Sequence, residues 1–352
     1  MLRYAIHALR WLLGAVLIFS ATTKFIDPVG TSIFVEKYLA TYSLEALMPV
    51  AVAIAVVLSM VEFTLGVMLI ASLRRRVVAL FALVMVALFT IVTLLSATVL
   101  PLGECGCFGE VVSLTPWGTF LKNVILLIVA YVVWRSAEYG TLCRRDVVVA
   151  LLALVSSLGV NLFALRHQPL VDLMPYSVST DLRHAVSCER EAEHAHRVLS
   201  FRNSVTGTVE EFPIDATECW MREELEYLDV VTSMPSTAEN KYADFRVYDA
   251  AGVDVGETLL SREGRVAWIT VYDGAALADS ERIEAIGRLY EIYPPTAIVV
   301  LSSTSELNAE LFPNTNIYNA DTQTLRSINR AKVGVVIIND GVVEYKADIR
   351  DI

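Results

Sequence analysis

The chain has 352 residues, of which 55% are hydrophobic, and its formal net charge is −11. This composition is too apolar for a wholly soluble protein, and the acidic balance argues against nucleic acid as a partner. Residues 1–168 carry 12 basic and 8 acidic side chains, whereas residues 169–352 carry 16 basic and 31 acidic ones. The asymmetry predicts two parts of the chain in different surroundings.

The first part contains five apolar segments, each close to the roughly 20 residues that cross a bilayer. We therefore predict that residues 1–168 form a five-helix transmembrane bundle in contact with lipid. Asp27-Pro28 is expected to end the first span, because proline cannot continue a helix. Val29–Leu47 is predicted to be a loop with a short helix. The spans are predicted at Tyr4–Ile26, Pro49–Leu73, Val77–Leu100, Trp117–Trp134 and Val147–Leu165.

Basic residues at the span ends predict the orientation. By the positive-inside rule, the side on which they cluster is cytoplasmic. Five spans then put the loop between the third and fourth spans, and everything after Arg166, outside the cytoplasm. In a bacterial inner membrane that compartment is the periplasm, where disulfides form and persist. The basic residues on the predicted cytoplasmic side are Arg3, Arg10, Arg74, Arg75, Arg76, Arg135, Arg144 and Arg145.

The loop after the third span contains Cys105 and Cys107, separated only by Gly106. A disulfide across so short a spacing requires a bent backbone, and strained, exposed disulfides are the readily reduced ones. We expect Cys105 and Cys107 to be a redox-active pair. A structural disulfide or two packed thiols remain the alternatives, and a thiolate site for a soft metal such as Cu(I) is a weaker one.

Three ionisable residues fall within the predicted spans. Glu62 lies near the middle of the second span, where a carboxylate is costly and marks a functional candidate. Arg10 and Lys24 of the first span are its expected partners. A pair that only ties the two helices together is an equally good interpretation.

Residues 169–243 are predicted to form a linker followed by a hairpin and helical region. Cys188 and Cys219 lie here, and they are either a second redox pair or, the favoured interpretation, one structural disulfide. His184, His194 and His196 lie among glutamates, which favours a solvated helix face over a metal site. Cys143 is expected to be a reduced thiol on the cytoplasmic side.

Residues 244–352 show an α/β pattern. Strands are expected at Phe245–Asp249, Val266–Tyr272 and Thr296–Leu301, and helices at Ala278–Ile292, Glu306–Leu311 and Thr322–Asn329. Val333–Ile338 and Val342–Lys346 are predicted to form a hairpin across Asn339-Asp340-Gly341. This order favours a thioredoxin-like fold.

The first 165 residues or so resemble the DoxX and MauE (methylamine utilisation) membrane proteins. The resemblance is carried by Arg10-x3-Gly14 through Phe19-Ser20 to Lys24, by Glu62-x3-Gly66, and by Cys105-Gly-Cys107-Phe-Gly109 before Thr115-Pro-Trp117. It implies a role in periplasmic disulfide formation or protein maturation, beside a thioredoxin-like partner. The architecture is also similar to that of quinone-linked thiol oxidases of the vitamin K epoxide reductase type, which suggests quinone as a cofactor.

Where a thioredoxin active site would follow the strand Val266–Tyr272, the sequence reads Asp273-Gly-Ala-Ala276. We therefore expect a thioredoxin-like domain that lacks CxxC and holds a partner. The predicted function is an inner-membrane protein that supports periplasmic thiol–disulfide chemistry on a protein substrate. The alternative is a membrane-anchored docking factor with no enzymatic activity and a structural disulfide.

Overall fold

The computed structural model describes residues 2–71, 75–98, 115–137, 143–169, 171–172, 174–213, 216–232, 242, 245–304 and 307–352. Within these ranges, five helices are long and apolar enough to cross a membrane, and a sheet-containing C-terminal domain follows them. The five spans are the ones that the sequence predicts, with ends that differ by a few residues. The predicted redox loop with Cys105 and Cys107 lies outside the described residues.

The membrane-spanning helices alternate in direction along the chain. Their residues are α1 Leu2–Ile26, α3 Ala51–Ile70, α4 Arg75–Thr98, α5 Pro116–Arg135 and α6 Arg144–Arg166, with the shorter α2, Pro28–Thr41, between the first two. α3 packs between α1 and α6, and α4 packs against α5. The ends of α1, α4 and α6 and the start of α5 therefore lie at one end of the bundle, which we call the domain-bearing end.

The segment between the first two spans is more helical than expected. A loop with a short helix was predicted for Val29–Leu47, whereas α2 has 14 residues and a 3₁₀ turn follows at Glu45–Val50. Asp27 starts α2, because its carboxylate accepts a hydrogen bond from Gly30 N at 2.7 Å. Pro28 occupies the first helical position, where its fixed φ suits a helix start. Proline at this site thus ends one helix and begins the next.

The linker leads into α7, Leu182–His196, and a small antiparallel sheet. Its strands are β1 Arg197–Asn203, β2 Val209–Pro213 and β3 Leu225–Thr232, with β1 in the middle. β1 and β2 form the hairpin predicted within residues 169–243, with its turn at Ser204–Gly207. β3 was not predicted.

A second sheet, of six strands within the described residues, forms the core of the C-terminal domain. In the order β9-β8-β5-β6-β7-β4, β5, β6 and β7 are parallel and β8 runs antiparallel to β5. The predicted hairpin is β8–β9. Its strands are β4 Val247–Tyr248, β5 Arg265–Val271, β6 Ile298–Ser302, β7 Ile317–Ala320, β8 Val333–Asn339 and β9 Val342–Asp348.

Both faces of this sheet are buried, so its central strands are almost continuously apolar, as expected for parallel strands. Trp268 and Leu325 belong to the core on one face, and Ile269 and Leu289 to the core on the other. The helices are α8 Gly256–Leu260, α9 Ser280–Ile292 and α10 Thr322–Ile328. α10 and the turn that follows it contact the membrane bundle.

Candidate functional site

Glu62 and Lys24 form a buried ion pair inside the bundle. Glu62 Oε2 lies 3.0 Å from Lys24 Nζ, and the two side chains are 0% and 6% exposed. Lys24 also donates hydrogen bonds to Ser20 Oγ at 2.6 Å and to the Ser20 carbonyl at 3.1 Å. Lys24 therefore bends back along its own helix to reach the carboxylate on α3.

The pair depends on a close approach of α1 and α3. Gly14 and Gly66 face one another, and a Cβ on either would lie less than 3 Å from the carbonyl oxygen of the other. Small residues at such crossings let membrane helices touch backbone to backbone. Without them the Lys24 ammonium would lie farther from Glu62.

Of the two cations expected to pair with Glu62, Lys24 makes the contact. Arg10 is also buried, but it precedes Lys24 by 14 residues, which is about 21 Å along the helix. It therefore belongs to the other end of the bundle. Glu62 Oε1 is buried and forms no hydrogen bond within the described part of the chain.

Other polar side chains in the bundle join neighbouring helices. Asn123 Nδ2 donates to Thr93 Oγ1 at 3.2 Å, which links α5 to α4. Asn161 Nδ2 donates to Ser59 Oγ at 3.3 Å, which links α6 to α3. Hydrogen bonds of this kind stabilise packing between helices in lipid.

At the domain-bearing end, Arg330 connects the C-terminal domain to the bundle. Its guanidinium contacts Asp27 at 3.0 Å and Asp172 of the linker at 2.9 Å, with only 1% of the side chain exposed. Four residues earlier, Arg326 contacts both carboxylate oxygens of Glu36 at 2.7–2.8 Å. Two arginines on one face of α10 and the following turn thus bind two acidic residues of the bundle.

Asn329 fixes the turn that carries these arginines. Its amide nitrogen donates to the carbonyls of Val335 and Ala347, and its oxygen accepts a hydrogen bond from Gln168 at 2.7 Å. Gly334 has no side chain to obstruct it, since a Cβ there would lie 2.4 Å from the Asn329 amide. The turn is therefore fixed to the sheet and to the linker together.

Lys346 completes the charge network by contacting Asp172 and the Tyr176 carbonyl. Burial lowers the pKa of Lys346 to about 8, helped by the nearby Arg330 and opposed by Asp172. Burial alone would raise the pKa of Asp172, but Arg330 and Lys346 outweigh it and hold that pKa below its ordinary value.

A cavity of about 650 Å³ lies between bundle and domain. Apolar side chains from the bundle form one wall, among them Val29, Met48 and Val52. The segment after β5, Asp273–Ala276, forms part of the opposite wall. This segment contains no cysteine.

Tyr272 and Lys332 of the domain also line this cavity. Burial raises the pKa of Tyr272 to about 12, so it remains a neutral hydrogen-bond donor. Lys332, at 2.8 Å, lowers the pKa of Asp273, which is therefore ionised. The bundle side of the cavity is mainly apolar apart from Glu36, and the domain side carries several charged residues.

The structure does not join Cys188 and Cys219 in the structural disulfide that the sequence analysis favoured. Cys188 is exposed on α7, with Sγ 3.5 Å from His184 Nδ1, whereas Cys219 is buried and donates to the Ala216 carbonyl. Both thiols are free, as is the exposed Cys143. α7 and the small sheet put Cys188 and Cys219 in different packing environments.

Among the described residues, no group of three or more His, Cys, Asp or Glu side chains is arranged to hold a metal ion. The sequence analysis missed the ion pairs that join domain and bundle. The signal it could have used is the spacing of the two arginines, since Arg326 on the short helix α10 and Arg330 in the turn that follows are four residues apart.

Comparison with known families gave one match. Residues 2–136 match the family Methylamine utilisation protein MauE, so the match covers four of the five spans and the loop with Cys105 and Cys107. The chain is therefore a multi-pass membrane protein, and its residues 2–136 are similar to this family. No curated protein and no solved structure matches the chain.

Proposed function

We propose that this MauE-type membrane protein supports thiol–disulfide chemistry outside the cytoplasm, with Cys105 and Cys107 as the redox pair. The support comes from the family match and from the direction of the helices. α4 ends at Thr98 and α5 begins at Pro116, so the chain enters and leaves the cysteine loop at the domain-bearing end. A substrate held by the C-terminal domain is therefore at the same end of the bundle as the end of α4 and the start of α5.

The proposed reaction transfers two electrons. Two substrate thiols reduce the Cys105–Cys107 disulfide, which yields a substrate disulfide and two protein thiols. Reoxidation of the pair would require an acceptor of two electrons and two protons, a role that a membrane quinone would supply. The substrate is a protein of the bacterial periplasm. The N-terminus is cytoplasmic and the C-terminal domain periplasmic, as the distribution of basic residues favours.

In this proposal the C-terminal domain, residues 244–352, is a thioredoxin-like module that holds a partner and exchanges no electrons. The strand order β9-β8-β5-β6, with β5 and β6 parallel and β8 antiparallel to β5, supports such a fold. The bundle covers residues 1–168, and residues 169–243 form the connecting region. Since no cysteine follows Cys219, this domain has no thiol of its own.

Trapping the partner tests the redox role. Cys107→Ser or Cys105→Ser leaves one loop thiol, which can react only in the reverse of the proposed transfer. It attacks the disulfide of the oxidised substrate and has no neighbouring thiol to release the product, so a mixed disulfide should accumulate in cells. Cys188→Ser, which removes an exposed thiol elsewhere, should trap nothing. No adduct with either loop variant would contradict the proposal.

A second function, that of a docking factor without redox activity, is supported by the ion pairs of Arg330 and Arg326. They fasten the domain to the bundle irrespective of any electron transfer. Arg330→Met should loosen the domain, because Asp27 and Asp172 lose a buried partner at a cost of about 3–5 kcal/mol.

Lys332→Met is the matched control for Arg330→Met, since the Lys332 pair with Asp273 is half-exposed and worth about 1 kcal/mol or less. Limited proteolysis of the linker measures the difference. If maturation of the partner requires Arg330 but survives the loss of both loop cysteines, the docking function replaces the redox one.

A further inference from the structure

Within the described residues, the outer edge of β3 in the small sheet is unpaired and carries apolar side chains. β1 lies between β2 and β3, so β3 uses only one of its two edges within the described residues. Residues 226–230 of β3 are all exposed. Natural proteins usually protect such edges with proline, short strands or a covering segment, because an open edge pairs with other chains.

Aromatic side chains extend this edge into an exposed patch. Trp220 stacks on Tyr227 with ring centroids 5.4 Å apart, and both rest on the buried Phe201. Trp220 is 60% and Tyr227 43% exposed, and Val230 on the same strand is 38% exposed. The patch therefore packs on the buried Phe201 and is exposed to solvent on its other side.

The face of β3 opposite this patch is acidic, since Asp229 and Glu226 pair in register with Ser200 and Arg202, whereas Tyr227 pairs with Phe201. Its exposed carboxylates form no ion pair with the described residues, and Arg202, opposite Glu226 in the register, forms none with it either. Arg222 is already bound by Glu210 and Glu224. The acidic residues that form no ion pair within the described part of the chain are Glu211, Glu223, Glu226 and Asp229.

We infer that β3 is a docking edge for a basic, extended segment of a partner protein, which adds to the sheet as a fourth strand. Main-chain hydrogen bonds to the open edge would supply affinity. Lysine or arginine side chains would face Glu226 and Asp229, while apolar side chains pack on Tyr227 and Trp220. β2 is the less suitable edge, because it is shorter and ends at Pro213, which has no N–H to donate.

Charge decides which occupant fits this edge. A second copy of the chain would bring Glu226 and Asp229 close to the same acidic residues, and like charges on paired strands are destabilising. An anionic lipid surface would be repelled for the same reason. A cationic strand both neutralises the edge and covers its apolar side chains.

This inference does not depend on the cysteine chemistry, so it is tested on the full-length protein in nanodiscs under reducing conditions. The probe is a peptide of about ten residues that alternates lysine with valine and tyrosine. It should bind and slow hydrogen exchange at the backbone amides of residues 226–230. A peptide with glutamate in place of lysine should not bind.

Charge reversal locates the site. Glu226→Lys/Asp229→Lys should weaken binding of the lysine peptide at least about tenfold, because two attractions become repulsions. Glu284→Lys/Glu291→Lys, on the exposed face of α9, makes the same change in net charge and should leave binding unaltered.

A peptide of equal charge interrupted by prolines separates strand addition from simple charge attraction, because proline cannot complete a strand ladder. It should bind at least about tenfold more weakly than the alternating peptide. Equal binding of the two peptides, equal loss in both charge-reversal variants, or dimerisation through β3 would overturn the inference.

Discussion

At the scale of single residues, several charged side chains are buried, where the loss of hydration costs free energy. The following ones are each paired with an opposite charge. Lys24 and Glu62 are paired inside the bundle, and Arg330 is paired with Asp27 and Asp172 where the domain meets it. Removing one member of such a pair leaves the other buried and uncompensated, which is far more costly than never having had the pair.

Glu62→Gln should therefore destabilise the bundle by about 3–5 kcal/mol, since it leaves the Lys24 ammonium without its counter-charge. Glu62→Leu/Lys24→Met should recover most of this loss, because an apolar pair needs no compensation. The free energy of unfolding in mixed micelles measures both changes.

Thr22→Val is the matched control for Glu62→Gln, because among the described residues the Thr22 hydroxyl bonds only the Ile18 carbonyl of its own helix. A Glu62→Gln protein as stable as the wild type would contradict the assignment of Glu62 and Lys24 as a buried ion pair.

Asp172 should make the junction sensitive to acid. Its pKa in the folded protein lies below the ordinary value of 3.8, so the folded state binds this proton less readily than the unfolded chain. The stabilisation is therefore complete above about pH 5 and is lost as the pH falls through the folded-state pKa. The cost of Asp172→Asn should shrink as the pH is lowered from about 7 to about 3. A cost that does not vary with pH would contradict this assignment.

At the scale of elements, the contact between α1 and α3 sets the geometry of the buried pair. Glycine at positions 14 and 66 lets the backbones meet, and Leu13, Leu17, Leu65 and Leu69 pack around the crossing. The ion pair and the helix crossing are thus one feature of the bundle.

Gly66→Ala should cost about 1–3 kcal/mol, because the added Cβ would lie 2.8 Å from the Gly14 carbonyl oxygen and the helices must move apart. Gly159→Ala on α6, where a Cβ meets nothing within 4 Å, should be neutral or slightly stabilising. Thermal unfolding of the two variants compares them directly, and equal stability would refute a tight crossing.

The sequence predicts long elements well because their signal is spread over many residues. The five spans and the β8–β9 hairpin, with Asp340 and Gly341 at positive φ in its turn, were predicted. α2 was underestimated because its N-cap signal, Asp27-Pro28, was taken only as the end of a helix. β3 and β7 were missed, since β3 alternates too weakly between polar and apolar residues and β7 has only four residues.

At the scale of the whole molecule, the C-terminal domain is fixed to the bundle by side chains that are distant in sequence. Arg326 and Glu36 are 290 residues apart, and Arg330 and Asp27 are 303 apart. A pattern of hydrophobic residues carries no information about such pairs, which explains why the sequence predicted Glu62 as a buried charge but did not predict the junction or its cavity.

The topology is open to a direct test. With five spans and the N-terminus in the cytoplasm, a reporter fused after Ile352 should be active only if it functions in the periplasm. Alkaline phosphatase fused there should be active, and a fluorescent protein that matures only in the cytoplasm should be dark. The reverse result would place the junction and the cysteine loop in a reducing compartment and exclude a stable disulfide.

The central claim, that Cys105 and Cys107 form a redox-active pair, is tested most directly by their reduction potential. The measurement is an equilibrium titration of the full-length protein against glutathione or dithiothreitol, with thiol labelling and mass spectrometry to count the reduced pair. Cys143→Ser/Cys188→Ser/Cys219→Ser removes the other thiols. The account predicts a potential above about −300 mV, in the range of exchangeable disulfides, whereas a value below about −300 mV would mark a structural disulfide and contradict it.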